Sequence, residues 1–171
     1  RMDERATGDA TTNLGPGHRG KGGRALLVVA LLAAAAVPAP GADYAWSSGS
    51  YSASGFPATI GTTDNLYITG SSINLDVTLT NNGHVYWVGG DVPSSGGHFV
   101  NHGTVVISAD GQWGYGGGPA SSFTNYGSVS KTGGAGSTVF NSSGQFFDEF
   151  TFVNSGAIVV QAGTIEYESP I

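Results

Sequence analysis

The sequence lacks cysteine, long apolar runs and most of the charge of an ordinary soluble domain. With no cysteine in 171 residues, disulfide bonds and thiolate metal ligands are excluded. Charged residues make up 11% of the chain, against roughly 25% in typical globular domains, so long charged helices are not expected. Glycine is abundant instead, at 29 positions, and a hydrophobic content of 39% is too high for simple disorder.

Basic side chains are almost confined to the first 24 residues. Beyond them, Lys131 is the one basic side chain other than histidine, against nine carboxylates, for a net charge of about −8 (1 − 9) with histidine neutral. Nucleic-acid binding depends on Lys and Arg side chains that neutralise phosphates. We therefore expect no nucleic-acid partner, and an anionic membrane surface would repel this part of the chain.

Residues 18–42 have the pattern of a secretory signal peptide. A basic flank precedes the 13-residue apolar run Ala25–Val37, and small residues follow it. The run is shorter than the roughly 20 residues of a membrane-spanning helix, although a buried helix and a retained anchor remain alternatives. Cleavage after Gly41 or Ala42 would make residues 1–42 an N-terminal extension with a signal-peptide helix. We predict an exported protein, extracellular or at the cell surface.

The remaining residues, 43–171, form short strand-like segments between Gly-rich turns. Asn65–Gly70 and Ile73–Leu79 both alternate apolar with polar side chains. Alternation with period two places one face of a strand inward and the other outward. This pattern predicts an all-β region.

A seven-residue unit with the template apolar-x-Asn-x-Gly-x-apolar recurs along this region. Four copies are exact and one carries an extra residue. A repeat near 20 residues, with loops of varying length, is typical of a solenoid. The Asn and Gly pairs are Asn81 and Gly83, Asn101 and Gly103, Asn125 and Gly127, Asn141 and Gly144, and Asn154 and Gly156.

The template has a physical explanation. Asn bonds its own backbone two residues on, and Gly adopts positive φ without steric cost. The flanking apolar residues face an interior that only stacked coils can bury. We expect the five Asn side chains to stack as a hydrogen-bonded ladder of a parallel β-solenoid. An ordinary β-sandwich with Asn-x-Gly hairpin turns is the alternative.

The run Phe152–Ile165 resembles the F-x-N-x-G-x-(V/I)-x-V-x-x-G-T-(L/I) repeats of large bacterial surface proteins. These include autotransporter passenger domains, filamentous-haemagglutinin-like adhesins and PEP-CTERM-type secreted proteins. Trp46, Pro57, Asp64 and Asn65 are similar to the W…G…P…D-x-(A/N) entry that precedes such repeats. The resemblance implies a right-handed parallel β-helix at the cell surface or outer membrane, in which the motif residues are scaffold. Since no cap follows the last repeat, we expect residues 43–171 to be the front of a longer repeat region.

Histidines and carboxylates are the candidate chemical groups. His84, His98 and His102 would suit Zn or Cu, but a zinc site needs further ligands and supporting partners, so surface turn histidines are the favoured interpretation. Asp148 and Glu149, or a partner from another coil such as Asp91 or Asp110, could form the carboxylate pair of a glycosidase. Adjacent strand residues point to opposite faces, which argues against the first pair.

A polysaccharide lyase is the other enzymatic alternative for a β-helix. It would need a basic side chain, and the region offers only Lys131, in a Gly-rich turn. No cofactor, metal or catalytic site is therefore expected.

Trp113 and Tyr115 lie in a Gly-rich loop, Gly111–Gly118, that the sequence suggests is exposed. Such rings can stack on sugars, so we identify them as possible glycan contacts, with a covering role on the solenoid as the alternative. The resulting hypothesis is an exported structural or adhesive segment without catalysis, which presents variable loops at 88–98 and 109–121. Its possible partners are extracellular glycans or a neighbouring cell surface. The rival functions are the N-terminal part of a carbohydrate-active β-helix enzyme and a small glycan-binding module.

Overall fold

The computed structural model describes residues 39–141 and 149–168. The signal-peptide run, Gly144 and Asp148 lie outside these ranges. Within them the chain forms a parallel β-solenoid of about five turns, which confirms the predicted fold class and excludes the sandwich.

Fifteen strands, arranged in three sheets, form the solenoid. Sheet A has the strand order β1-β3-β5-β8-β11-β14, sheet B the order β2-β4-β7-β10-β13, and sheet C the order β6-β9-β12-β15. From β4 onward each coil contributes one strand to sheets B, A and C in turn. The strands are β1 (Asp43–Ser50), β2 (Thr59–Ile60), β3 (Asn65–Asn74), β4 (Thr78–Asn81), β5 (His84–Trp87), β6 (Val92–Ser94), β7 (His98–Asn101), β8 (Thr104–Ile107), β9 (Gly111–Tyr115), β10 (Ser121–Asn125), β11 (Ser128–Lys131), β12 (Ser137–Asn141), β13 (Phe150–Asn154), β14 (Ala157–Val160) and β15 (Thr164–Glu168).

The repeat template spans the end of a sheet B strand, a turn and the start of a sheet A strand. Its first apolar position forms a row in sheet B, Leu79, Phe99, Phe123 and Phe152, with each residue paired to the next. Its last forms a row in sheet A, Val85, Val105, Val129 and Ile158. Stacking in register explains why the period-two alternation of the sequence becomes one continuous core.

Sheet C corrects the prediction of variable loops at 88–98 and 109–121. These stretches contain β6 and β9, whose inward residues Val92 and Trp113 are fully buried. Both strands have residues that are uncommon in strands, Pro93 in β6 and Gly114 in β9, so strand propensity alone does not predict them.

The two ends of the solenoid differ. At the N-terminal end, a short 3-10 turn, Tyr51–Ala53, places the buried Tyr51 ring edge-on to Trp46, at 5.1 Å between ring centroids, and 5.8 Å from Phe56. The Tyr51 hydroxyl donates a hydrogen bond to the Pro57 carbonyl. At the other end, β13, β14 and β15 form the last described coil.

Candidate functional site

An asparagine ladder runs through the corner between sheets B and A. Asn81, Asn101, Asn125 and Asn154 are paired in register, and each Nδ2 donates to the Oδ1 of the next rung at 2.7 Å. The first three are fully buried. This part of the predicted ladder is confirmed.

Each buried rung also bonds the backbone of a neighbouring turn. The Nδ2 groups of Asn81, Asn101 and Asn125 donate to carbonyl oxygens in the following coil at 3.1–3.3 Å. The Gly83 N–H donates to Asn81 Oδ1, which is the local turn bond that the sequence predicted. Both amide hydrogens of each buried rung are therefore satisfied, so the ladder joins successive coils without leaving buried polar atoms unpaired.

Asn141 is not a rung of this ladder, which corrects the prediction of five. It lies in sheet C, where β12 pairs it with Gly114 and Glu168, and its Oδ1 accepts from Gln112 Nε2. Asn141 follows Asn125 by only 16 residues. The coil that joins rungs Asn125 and Asn154 is 29 residues long, so the imperfect copy of the template falls on a different face of the coil.

The template glycines serve a different purpose from the one predicted. None of them has positive φ; they are Gly83, Gly103, Gly127 and Gly156. A Cβ atom at any of them would instead lie 2.1–2.2 Å from the carbonyl oxygen of a glycine in the preceding coil. Glycine is required because the coils approach too closely at this corner to admit a side chain.

Lys131 is a buried cation inside the solenoid rather than an exposed turn residue. It ends β11 on the inward face, in the row that holds Trp87, Ile107 and Val160 in other coils. Its Nζ donates to Asp110 Oδ1 at 2.8 Å and to the carbonyls of Ala109 and Gly133 at 3.2 and 2.9 Å. These bonds satisfy all three ammonium hydrogens, which makes the burial tolerable.

Asp110 is tied into the same cluster. Its Oδ2 accepts the Gly136 N–H at 2.9 Å while Oδ1 accepts from Lys131. The hydrogen bond from Lys131, followed by that from Gly136, lowers the pKa of the Asp110 carboxyl below its ordinary value. A carboxyl in this state is ionised at neutral pH and is unsuited to act as a general acid.

Trp113 cannot contact a glycan, which corrects half of the predicted aromatic site. Because β9 alternates, Trp113 points inward, is fully buried and packs 4.9–5.7 Å from Trp87, Phe99 and Phe123 between ring centroids. Its indole N–H donates to Ser94 Oγ at 3.2 Å.

Tyr115 lines a shallow groove of about 260 Å³ at sheet C. Gly114, Pro93 and Gln112 line the same groove. The Tyr115 hydroxyl donates to the Gly118 carbonyl at 2.8 Å. A hydrogen bond between Tyr115 and Glu149 raises the pKa of the phenol.

The carboxylate of Asp91 also lines this groove. Asp91 Oδ1 accepts the Gln112 N–H at 2.8 Å, and Ser71 adds a hydroxyl. Hydroxyl, amide and carboxylate groups beside one aromatic ring are the kind of set that binds small polar ligands in a concave site. Tyr115 therefore stays a candidate contact, and the groove adds Asp91 and Gln112, which no pattern in the sequence links to it.

Two further aromatic pairs lie outside the core. Tyr67 stacks on Tyr86 with ring centroids 5.0 Å apart, and His102 stacks on Tyr126 at the same separation. Within each pair the ring planes differ by 14° and 10°. Each ring thus has one face covered by its partner, which leaves less aromatic face for a ligand.

The three histidines do not gather into a site. His98 Nδ1 lies 2.9 Å from Ser122 Oγ, His102 pairs with Tyr126, and His84 lies beside Tyr86. Among the described residues, no group of three or more His, Cys, Asp or Glu side chains is placed to hold a metal ion.

Within residues 39–141 and 149–168, no helix has the length and apolar character needed to cross a membrane. No family model, no curated protein and no solved structure matches the chain.

Proposed function

We propose that the chain is an exported structural and adhesive scaffold that holds its outer faces in fixed register and carries out no catalysis. The observation that carries the proposal is the asparagine ladder, in which Asn81, Asn101, Asn125 and Asn154 join four successive coils. Such a ladder makes the outward side chains a rigid array, because neighbouring coils cannot slide without breaking buried hydrogen bonds.

The charge of the solenoid supports an adhesive role that is not based on phosphate or nucleic-acid binding. Lys131 is buried against Asp110, while eight further carboxylates belong to residues 43–171. An acidic surface with few charges and many hydroxyls suits contact with neutral, hydrated partners such as glycans.

Export is the first part of the proposal to test. Residues 1–42 would be fused to a reporter enzyme that becomes active only outside the cytoplasm. We expect activity from the native segment and its loss when Leu27→Arg and Leu31→Arg interrupt the apolar run. Equal reporter activity from both fusions would contradict export through this segment.

A small glycan-binding module is the second candidate, and the groove at Tyr115 favours it. Purified protein would be titrated with a panel of neutral oligosaccharides, with binding followed by calorimetry. If the groove is the site, Tyr115→Ala and Gln112→Ala weaken binding at least roughly tenfold, which is a loss of about 1.4 kcal/mol. The matched control is Tyr67→Ala, which removes an outer aromatic ring from another sheet.

The enzymatic alternative gives a different result in the same samples. Product release from an oligosaccharide, abolished by Asp91→Asn or Glu149→Gln, would replace the scaffold proposal with a hydrolase. We expect binding without turnover, since Asp110, another carboxyl considered for the reaction, is held ionised by Lys131.

A further inference from the structure

The groove at Tyr115 has one carboxylate and no basic side chain among the described residues that line it. These residues are Ser71, Asp91, Pro93, Gln112, Gly114 and Tyr115. A ligand that brings a second carboxylate or a sulfate to this groove is repelled by Asp91, whereas a ligand with a positive group is attracted. The sign of the charge therefore favours a cationic ligand.

The Asp91 carboxylate is fixed at one oxygen and open at the other. Its Oδ1 accepts the Gln112 N–H at 2.8 Å, which ties the carboxylate to β9. Asp91 is exposed, and within the part of the chain that the structure describes no hydrogen bond reaches its Oδ2. A carboxylate oxygen can accept hydrogen bonds from a ligand, and one that is already held in place loses little freedom when the ligand binds.

Residues 43–171 supply no lysine or arginine that could neutralise this carboxylate. Lys131 is the one such side chain in this region, and its ammonium group is buried and bonded to Asp110. The net charge of about −8 (1 − 9, with histidine neutral) raises the concentration of cations near the surface. An ammonium group that arrives from outside therefore meets no competing lysine or arginine at Asp91.

The uncharged groups of the groove suit a sugar better than an isolated amine. Ser71 brings a hydroxyl, and Gln112, whose Nε2 donates to Asn141 Oδ1, brings a carbonyl oxygen that can accept from a sugar hydroxyl. Pro93 and Tyr115 add apolar atoms of the kind that pack on the carbon face of a sugar ring. The volume of about 260 Å³ is below the roughly 300–1,000 Å³ of pockets that enclose larger ligands, so the groove fits one sugar residue of a chain.

We propose that the groove at Tyr115 binds an amino sugar in its protonated form, with Asp91 Oδ2 accepting a hydrogen bond from the ammonium group. The inference rests on the glycan-binding function proposed for this groove and names the class of sugar, a hexosamine with a free amine. Acetylation of the amine removes its positive charge and puts a neutral amide in its place. The site therefore distinguishes two sugars that differ only at this nitrogen, because a hydrogen bond between charged groups is stronger than one between neutral groups.

Calorimetric titration of the full chain tests this by comparing a glucosamine tetramer with its N-acetylated form, at a mildly acidic pH at which the amine is protonated. The amine form should bind at least about threefold more tightly, and added salt should reduce this preference. Equal or weaker binding of the amine form, with binding of both tetramers lost in Tyr115→Ala, overturns the inference and leaves the glycan-binding function standing. If neither tetramer binds, both are overturned.

Two variants with the same change of charge separate a contact at Asp91 from the general acidity of the protein. Asp91→Asn keeps an oxygen that can accept the Gln112 N–H, so the fold is retained, and it should abolish the preference for the amine form. Asp43→Asn is the matched control, because Asp43 lies in sheet A, where its Oδ1 accepts from Asn65, and the preference should persist. An equal loss of preference in the two variants, or a preference that survives Asp91→Asn, overturns the proposal.

Discussion

At the scale of single residues, the buried asparagine side chains join successive coils through hydrogen bonds to one another. Asn101 accepts from Asn81 and donates to Asn125, and all three side chains are fully buried. Removing the middle amide leaves a donor and an acceptor without partners in a place that water does not reach. This is more costly than losing the two bonds alone, since a buried unpaired group keeps its full desolvation penalty.

We therefore expect Asn101→Ala to lower the free energy of unfolding by about 2–5 kcal/mol. Urea denaturation followed by tryptophan fluorescence measures the change. The control is Asn154→Ala at the exposed end of the same ladder, which should cost less than about 1 kcal/mol. A cost below about 1 kcal/mol at Asn101 as well would mean that the buried ladder contributes little to the stability.

Glycine in the repeat is explained by the space between coils rather than by backbone conformation. At Gly127 an added Cβ would lie 2.1 Å from the Gly103 carbonyl oxygen, and φ is not positive there. The sequence identified the correct residues because the spacing of the template is visible. The sequence could not show why glycine is required there, because the close approach of two coils is a contact between residues far apart in the chain and leaves no local pattern other than the glycine.

Gly127→Ala should consequently destabilise the protein by more than about 1 kcal/mol. Gly89 offers a matched control, since nothing lies within 4 Å of an added Cβ and its φ is not positive. Gly89→Ala should change the stability by no more than about 0.5 kcal/mol. Thermal and urea unfolding of both variants measure the difference, and equal tolerance would show that the corner can open.

At the scale of strands and turns, the template predicted sheets A and B but not sheet C. The alternation around Asn101 and Asn125 places β7, β8, β10 and β11 directly. In sheet C, β9 reads Gly-Gln-Trp-Gly-Tyr, and its strand character comes from pairing with β6 and β12 rather than from its own propensity. The sequence therefore predicted a loop at Trp113. Tyr115, two residues further along the same strand and only half-buried, remains in the candidate site.

The Lys131–Asp110 pair links β11 to the turn of the coil before it, and this link responds to pH. Lys131 gave no sign of burial in the sequence, because a lysine beside Gly133 is usually a solvated turn residue. The hydrogen bond from Lys131 lowers the pKa of Asp110 in the folded state. The stabilisation is therefore complete above the unfolded pKa of about 3.9 and is lost as the pH falls through the lower folded value.

Thermal midpoints measured from pH 6 down to pH 2 should show a decline in the acid range that Asp110→Asn reduces. Lys131→Met should reduce it less, because the Gly136 N–H still donates to Asp110 Oδ2 and keeps part of the lowered pKa. At neutral pH the two variants should differ, with Asp110→Asn the less stable, since it leaves a buried ammonium without its charged partner. If both variants keep the full acid decline, other carboxylates cause it.

At the scale of the whole molecule, each coil is stabilised mainly by its two neighbours, so the coil with only one described neighbour is the weakest. The first coils gain an aromatic cover from Trp46, Tyr51 and Phe56, whereas Ile158, Val160 and Tyr167 stay partly exposed. Stability should therefore fall from the centre toward β13–β15 but not toward β1.

Amide hydrogen exchange resolves this gradient. We expect amides of β7, β8, β10 and β11 to exchange slowest, with rates close to those of global unfolding, and amides of β13–β15 to exchange at least about tenfold faster through local opening. The N-terminal strands β1 and β3 are the internal control, because an end that is covered should stay protected while the open one frays. Equal fraying at both ends would mean that the aromatic cover contributes little, and equal protection throughout would mean that the solenoid unfolds as one unit despite its open face.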